Sequence, residues 1–396
     1  LDFEPGGFWS HTLGRDLAAC ERRVYYRIWG AFGGWSAEGP PLARLLYTAR
    51  CSKDLRSYAG TVVHSAIRRL IERVRVGLRV PPLQLWLDRF DERIRAEVAY
   101  SASRRWLRLA NPKKATVILH EHLVGEDLHD WQVDEAIDIA IRSFQSFWTN
   151  YLPQIQEVGP ERIVLVDSLD KFEFDCFDLF LSPDLVLVEE FEDEIIDWKT
   201  GTGTNAEQLE AYGLYWDHYR RKKGLAERPM IGRSVPLLAP EKELRIQIDA
   251  AAIGRAEARI RADIATLRTF ELRVGDGDLA FPKASEASAC EWCSFAFHCD
   301  LRPGGPTTGA ASAVGTVPDA GWFVPTEVPD DGWYLVVLPG PAGPVTKVLK
   351  VDSRPAEPSV GRTMPAVLIE AGHFMWRRLG GPDWMLEAPK MFPLNP

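Results

Sequence analysis

The chain of 396 residues carries a formal net charge of −9, is 46% hydrophobic and 11% aromatic, and contains six cysteines. That much buriable surface excludes a largely disordered chain, and six cysteines over this length are too sparse for a disulfide scaffold. Roughly two domains are expected from the length, and the acidic balance argues at first sight against a nucleic-acid partner.

The first residues, Leu-Asp-Phe-Glu-Pro-Gly-Gly, lack the basic and apolar regions of a secretory signal, and no run of about 18 apolar residues could span a bilayer. A cytoplasmic protein with no membrane partner is expected. Charge is unevenly spread: residues 1–110 hold 19 Lys+Arg against 11 Asp+Glu, a local balance of +8, which leaves −17 for the remainder. In this basic third, Arg68, Arg69, Arg104 and Arg105 are candidate DNA contacts. The arginines alternate with Trp86, Tyr100 and Trp106, so the segment would neutralise phosphates and stack on bases. An ordinary solvated helical face is the plainer reading of the same residues.

Apolar spacing is helical over about 12–110, broken at Gly33-Gly34, Gly39-Pro40-Pro41 and Pro81-Pro82, and a further helix is predicted over about Asp127 to Tyr151. Short β-branched or aromatic runs follow at Ile163–Val166, Phe172–Leu181, Leu185–Val188 and Glu194–Trp198, which predict an antiparallel meander. A helix over about Asn205–Arg221, strands near Met230–Leu238 and Glu243–Ile248, and a helix over about Ala250–Thr269 complete an α/β core, a central mixed sheet flanked by helices. Small residues then predict a linker at 301–318, ahead of a small β-rich module over 319–396 with strands near 332–338, 345–351 and 366–369. No G-x-x-x-x-G-K-[ST] loop occurs, so no ATP-driven motor of that kind is encoded.

The sharpest chemical pattern is Pro183-Asp184 followed by Asp197-Trp198-Lys199-Thr200-Gly201. Two aspartates at the ends of adjacent antiparallel strands, joined by a symmetric hairpin, converge on one point. Hard divalent cations take such oxygen ligands. Lys199, two residues beyond Asp197, points to the same face of the strand, where an ammonium can position water or meet charge developing on a phosphoryl oxygen. A merely solvated acidic hairpin is the competing reading of this motif taken alone.

The motif has company. Gly60-Thr61-Val62-Val63-His64 lies upstream, and Gln208-Leu-Glu-Ala-Tyr212 downstream places two side chains one helical turn apart. In this order the elements resemble the signature of the PD-(D/E)XK nuclease superfamily, in the form used by RecB-like nucleases. The resemblance implies a restriction-endonuclease-like core, with a helical N-terminal region at 8–155 and a catalytic core at 156–300. It further implies that Asp184, Asp197 and His64 ligate Mg²⁺ or Mn²⁺, that Lys199 is the catalytic lysine, and that Gln208 and Tyr212 shape the site. Glu161 and Asp167 are both open as a further acidic ligand.

Cys290, Cys293 and Cys299 form a C-x2-C-x5-C group, which points to a metal that needs a fourth thiolate, with Cys20 as donor. One cysteine near the start and three after the core resemble the iron–sulfur members of the family, of the AddB and CRISPR-adaptation exonuclease type. A structural [4Fe–4S] cluster is implied, with Zn²⁺ as the alternative occupant. Cys51 and Cys176 read as buried thiols. Together these readings predict a metal-dependent deoxyribonuclease, an exonuclease on single-stranded or frayed DNA ends in DNA repair, recombination or antiviral defence. The alternative is a nuclease-fold subunit of a larger complex, with a helicase or other subunits as partners.

Overall fold

The computed structural model describes residues 7–167, 170–282, 284, 288–291, 293–296, 298 and 299, together with five strand segments between 320 and 393. The chain divides into two compact units whose pieces alternate in sequence. The first comprises Leu1–Ala18, Leu55–Glu97 and His129–Gly275, and the second comprises Ala19–Asp54, Val98–Leu128 and Asp276–Pro396.

The first unit is built on a five-stranded mixed sheet of β2 (Ile163–Val166), β5 (Leu185–Val188), β6 (Asp193–Lys199), β7 (Met230–Pro236) and β8 (Leu244–Ile248), in the order β2-β5-β6-β7-β8. β5 and β6 form an antiparallel hairpin with Leu185 opposite Ile196, so that Asp184 and Asp197 come opposite one another at the next step. β6 then runs parallel to β7 through a helical crossover, Ala206–Lys223. This helix begins where the Asn205 side chain accepts the Gln208 amide N–H at 3.0 Å and ends at Gly224, whose φ of +66° favours glycine. Arg220, Arg221, Lys222 and Lys223 occupy its last turn, where cations complement the helix dipole.

Of the expected four-strand meander only part forms one sheet. Phe172–Leu181 divides into β3 (Asp170–Phe174) and β4 (Phe177–Leu181), which pair with β1 (Phe8–Ser10) in a separate three-stranded sheet of order β1-β4-β3. The cause is local. Asp175 and Cys176 have φ of +50° and +64°, the double left-handed geometry of a tight hairpin turn, and this reverses the chain between Phe174 and Phe177. Cys176 is exposed at that turn, not buried as expected.

Helix Leu55–Arg75 buries Tyr58, Ala59, Val62, Val63, Ala66, Ile67, Leu70 and Ile71, and packs against helix Asp130–Asn150. Trp198 on β6 completes that interface from below, with Phe147 and Tyr151 edge-on to it at 5.2 Å each. The second unit has its own core, which includes Tyr26, Leu46, Tyr47, Trp106, Ile118 and Phe295. Its strands β9 (Ala320–Glu327), β10 (Trp333–Leu338), β11 (Val345–Lys350), β12 (Gly372–Arg377) and β13 (Met391–Pro393) pair in the order β11-β10-β9-β12-β13. The linker expected at 301–318 and the strand expected at 366–369 lie outside the described residues.

Two aromatic expectations are corrected. Trp106 is 1% exposed, with its indole N–H donated to the Ser101 carbonyl, and Trp86 is 7% exposed with its ring against Phe144. Neither is an exposed stacking platform, because both spend their apolar area on the core. Several arginines of the basic third are likewise occupied: Arg93 with Glu97, Arg75 with Glu72, and Arg95 with Asp91 and Asp134. Among the described residues, no helix is long and apolar enough to cross a membrane.

Candidate active site

All six residues of the expected catalytic constellation meet in the first unit, five of them on three elements and Asp184 in the bend just before β5. Alternation along β6 sends Trp198 to one face and Asp197 with Lys199 to the other, toward the crossover helix. The helix start set by Asn205 fixes Gln208 in its first turn and Tyr212 one turn later. Gln208 is the hub. Its Oε1 accepts from Lys199 Nζ at 2.7 Å, and its Nε2 donates to Asp197 Oδ1 at 3.2 Å and to Tyr212 Oη at 2.6 Å. Lys199 Nζ also lies 2.6 Å from Asp197 Oδ2.

Asp184, just before β5, takes a backbone donor and an imidazole. The Trp198 amide N–H donates to its Oδ2 at 2.7 Å, and His64 Nδ1 is 3.0 Å from its Oδ1. His64 comes from helix Leu55–Arg75, which stands close to the end of β6 because Gly60 has no side chain. A Cβ there would lie 2.7 Å from Thr200 Oγ1. On the same helical face, Ser57, Thr61, Ser65 and Arg68 join Thr200, Asp167 and Arg93 around an open cleft of about 600 Å³ beside His64. The cleft is lined by hydroxyls and cations, the groups that contact phosphate oxygens.

Electrostatically the carboxylates are crowded. Burial, followed by the neighbouring Asp184 charge, pushes the Asp197 carboxyl up to about 6 against the opposing pull of Lys199 and His64. Burial alone would lower His64, but the Asp184 carboxylate beside it raises its pKa above the ordinary value. Asp167 is also raised, by burial and then by Asp184, with Arg68 opposing. Of the two acidic positions open in the sequence, Asp167 lines the cleft. Its N–H is bonded to the Asp184 carbonyl at 2.9 Å, and its φ is +41°. Glu161 instead folds back over Gly159.

Asp184 and Asp197, with an imidazole beside them and Asp167 nearby, are hard oxygen donors suited to a divalent cation. The mutual repulsion that raises Asp197 is the charge excess such a cation would neutralise. Among the described residues no group of three or more His, Cys, Asp or Glu side chains is arranged to hold a metal ion. Asp184 is engaged by His64 and the Trp198 N–H, and Asp197 by Lys199 and Gln208, so loading would exchange these partners for metal.

Sequence reasoning missed Asn205 and His11. Asn205 Nδ2 is 3.0 Å from His11 Nε2, and burial, followed by Arg15, Lys199 and Arg259, depresses His11 to about 4. His11 is thus neutral near pH 7 and can accept from the Asn205 amide, which anchors the cap beneath Gln208. An Asn before Ala-Glu-Gln is a readable cap signal. His11, 194 positions away, has no local signal at all.

Of the expected DNA contacts, Arg68 is exposed in the cleft at 3.6 Å from Asp167, and Arg69 borders a neighbouring pocket. Arg104 and Arg105 lie in the other compact unit, where Arg104 is half-buried and Arg105 exposed. That unit also holds Cys20, Cys290, Cys293 and Cys299, none of them in a disulfide. Cys290 is raised by burial and then by Cys293, Cys299 and Cys20, so the four stand within electrostatic reach of one another.

No curated protein matches the chain. A family model described as the PD-(D/E)XK nuclease superfamily matches residues 10–300, more than half of the chain, and that superfamily comprises phosphodiester hydrolases that generally use divalent metals such as Mg²⁺. With an α/β sheet flanked by helices and a D…D-x-K constellation gathered on it, the chain belongs to the PD-(D/E)XK nuclease superfamily.

Proposed function

We propose that the protein is a deoxyribonuclease of the RecB-like type that hydrolyses single-stranded or frayed DNA, acting as an exonuclease in DNA repair, recombination or defence. The observation that carries this reading is the hub at Gln208, which ties Lys199 and Asp197 into one unit beside Asp184, His64 and a cleft lined by hydroxyls and cations. Asp184 and Asp197, with His64 and Asp167 next to them, would hold Mg²⁺ or Mn²⁺. When bound, the ion polarises the phosphodiester and lowers the pKa of water.

The remaining work falls to this chain's own groups. Arg68, Ser57, Thr61 and Ser65 would fix the phosphate in the cleft. Lys199, held by Gln208, presents its ammonium to the attacking water and to the charge that grows on the phosphoryl oxygen as the new O–P bond forms and the opposite P–O bond breaks. Cys20, Cys290, Cys293 and Cys299 would hold a structural [4Fe–4S] cluster, with Zn²⁺ as the rival. Iron and sulfide analysis of anaerobically purified protein, with a broad absorbance near about 400 nm, separates the two.

The functional test is cleavage of single-stranded, blunt and circular DNA with Mg²⁺ or Mn²⁺, beside Asp197→Ala. Metal-dependent cleavage of linear single strands that disappears in the variant is expected. Cleavage unchanged in Asp197→Ala would overturn the catalytic assignment, and cleavage of circles would overturn the exonuclease reading.

A further inference from the structure

Beside the catalytic cleft lies a second cavity of about 290 Å³ that the catalytic constellation does not use. Its lining comes from one face of each of two helices: Val62, Ala66 and Arg69 on Leu55–Arg75, and Trp86, Arg89, Phe90, Glu92 and Arg93 on Leu83–Ala102. Arg93 lines both cavities, so the two are neighbours that share one wall. The floor is apolar but offers little ring surface, because Trp86 and Phe90 pack on Phe144 from behind and are 7% and 3% exposed, so any stacking falls to the guanidinium planes at the rim.

The arginines of the two helices differ in one respect. Arg73 donates to the Arg79 carbonyl, and Arg75, Arg93 and Arg95 are in ion pairs with Glu72, Glu97, Asp91 and Asp134. Arg69 and Arg89, both exposed at this pocket, have neither a hydrogen bond nor an ion pair among the described residues. The Trp86 indole N–H in the pocket wall is likewise buried without an acceptor. An apolar floor under two uncommitted guanidinium groups, sharing the Arg93 wall with the hydroxyl- and cation-lined cleft, fits a planar heteroaromatic group attached to phosphate. Guanidinium planes stack on bases and pair with backbone phosphates. The volume lies at the lower limit for ligand pockets and is enough for one base.

We infer that this pocket, floored by Val62, Ala66, Trp86 and Phe90 and rimmed by Arg69 and Arg89, is a subsite for one unpaired base of the strand whose phosphodiester lies in the cleft. The inference rests on the nuclease reading and deepens it. A base can enter only when it is out of its duplex, so strand choice follows from the pocket and not from the catalytic residues.

The test uses the full chain and single-stranded oligonucleotides with one tetrahydrofuran abasic site at successive positions about the cleaved bond. Cleavage is followed with Mg²⁺, and binding by fluorescence anisotropy in EDTA. At one fixed offset, removal of the base is expected to lower both kcat/KM and affinity by about 5- to 150-fold, the loss of one stacked base. That offset effect should vanish in Ala66→Leu, which narrows the slot, and in R69K/R89K, which keeps the charge without the guanidinium planes. Equal tolerance of abasic sites at every offset, or an offset effect that persists in both variants, would overturn the subsite. Absence of cleavage on any substrate would overturn the nuclease reading instead, and the anisotropy measurement would still decide the subsite.

Discussion

Replacing Asp197 by Asn is expected to change the pH dependence of folding more than the stability at any single pH. In the metal-free protein the Asp197 carboxyl titrates at about 6 against an ordinary 3.8, because it is buried beside Asp184. Between those values the folded protein keeps a proton that the unfolded chain has released. Stability therefore falls as pH rises from about 4 to about 6, and the loss is constant above that. A displacement of about two pKa units corresponds to about 3 kcal/mol in full, of which about 2 kcal/mol falls between about pH 4.5 and 7.5. Asn does not titrate, and its poorer fit to Lys199 and Gln208 offsets stability by an amount that is nearly independent of pH. The measurement is urea unfolding of both proteins in EDTA across that range. The variant is expected to gain about 2 kcal/mol on the wild type from low to high pH, whatever the starting difference. Added Mg²⁺ at about pH 7.5 should stabilise the wild type and leave the variant unchanged, since only the former has the charge excess that a cation relieves. A difference that stays flat with pH would refute the reasoning, because the burial and the Asp184 repulsion that raise the carboxyl would then be absent.

Lys199→Met should lower kcat by about 100- to 1,000-fold, the usual effect of removing one donor aimed at developing charge, and should also lower the unfolding midpoint, because the buried Asp197 loses its cation. Unaltered single-turnover rates would remove Lys199 from the mechanism. Gly60→Ala should leave helix Leu55–Arg75 about 1 kcal/mol better in intrinsic propensity, yet impair cleavage, because the new Cβ would stand 2.7 Å from Thr200 Oγ1. Steady-state kinetics of G60A/T200A should recover most of the lost rate, and a double variant no better than G60A would show that the close approach is not the reason. Gly213→Ala drives a Cβ to 2.4 Å from Ile248 Cγ2 between the crossover helix and β8. Urea denaturation should register a loss of about 1–3 kcal/mol, and the increment should be smaller when Gly213→Ala is introduced into an Ile248→Ala background.

The legible part of the site was the part encoded by strand alternation and helix spacing. Asp184 and Asp197 come opposite through the β5–β6 register, Lys199 follows on the same face, and Gln208 with Tyr212 share a helix face, all short-range relations that a sequence states directly. What escaped was decided at long range or by a single turn. The positive φ values of Asp175 and Cys176 fold Phe172–Leu181 into a hairpin, which stands in another sheet where β1 joins it from the far end of the chain through only three residues. His11 reaches Asn205 across 194 positions. The basic, aromatic-rich third looked like one nucleic-acid surface because composition does not say which way a side chain faces. In the fold Trp86 and Trp106 turn inward and most arginines of helices Leu55–Arg75 and Leu83–Ala102 find carboxylates, which leaves Arg69 and Arg89 uncommitted.

The same distinction between committed and uncommitted charge accounts for the catalytic cluster. Elsewhere on β6 the buried acids are compensated: Asp193 takes the Trp216 N–H at 2.8 Å and has Arg220 nearby, and Glu194 pairs with Arg233 at 3.0 Å. Asp197 has one lysine and one amide against a second carboxylate on the neighbouring strand, and burial with that carboxylate raises its pKa. Fold stability alone would favour replacing it by a neutral residue. An acid that burial and a like charge both disfavour, held in place by a hub that also aligns Lys199, is what a site shaped for a cation and a phosphate would retain at the expense of stability. The compensation is therefore expected to arrive with the metal, and the pH experiment on Asp197 measures the uncompensated repulsion in its absence.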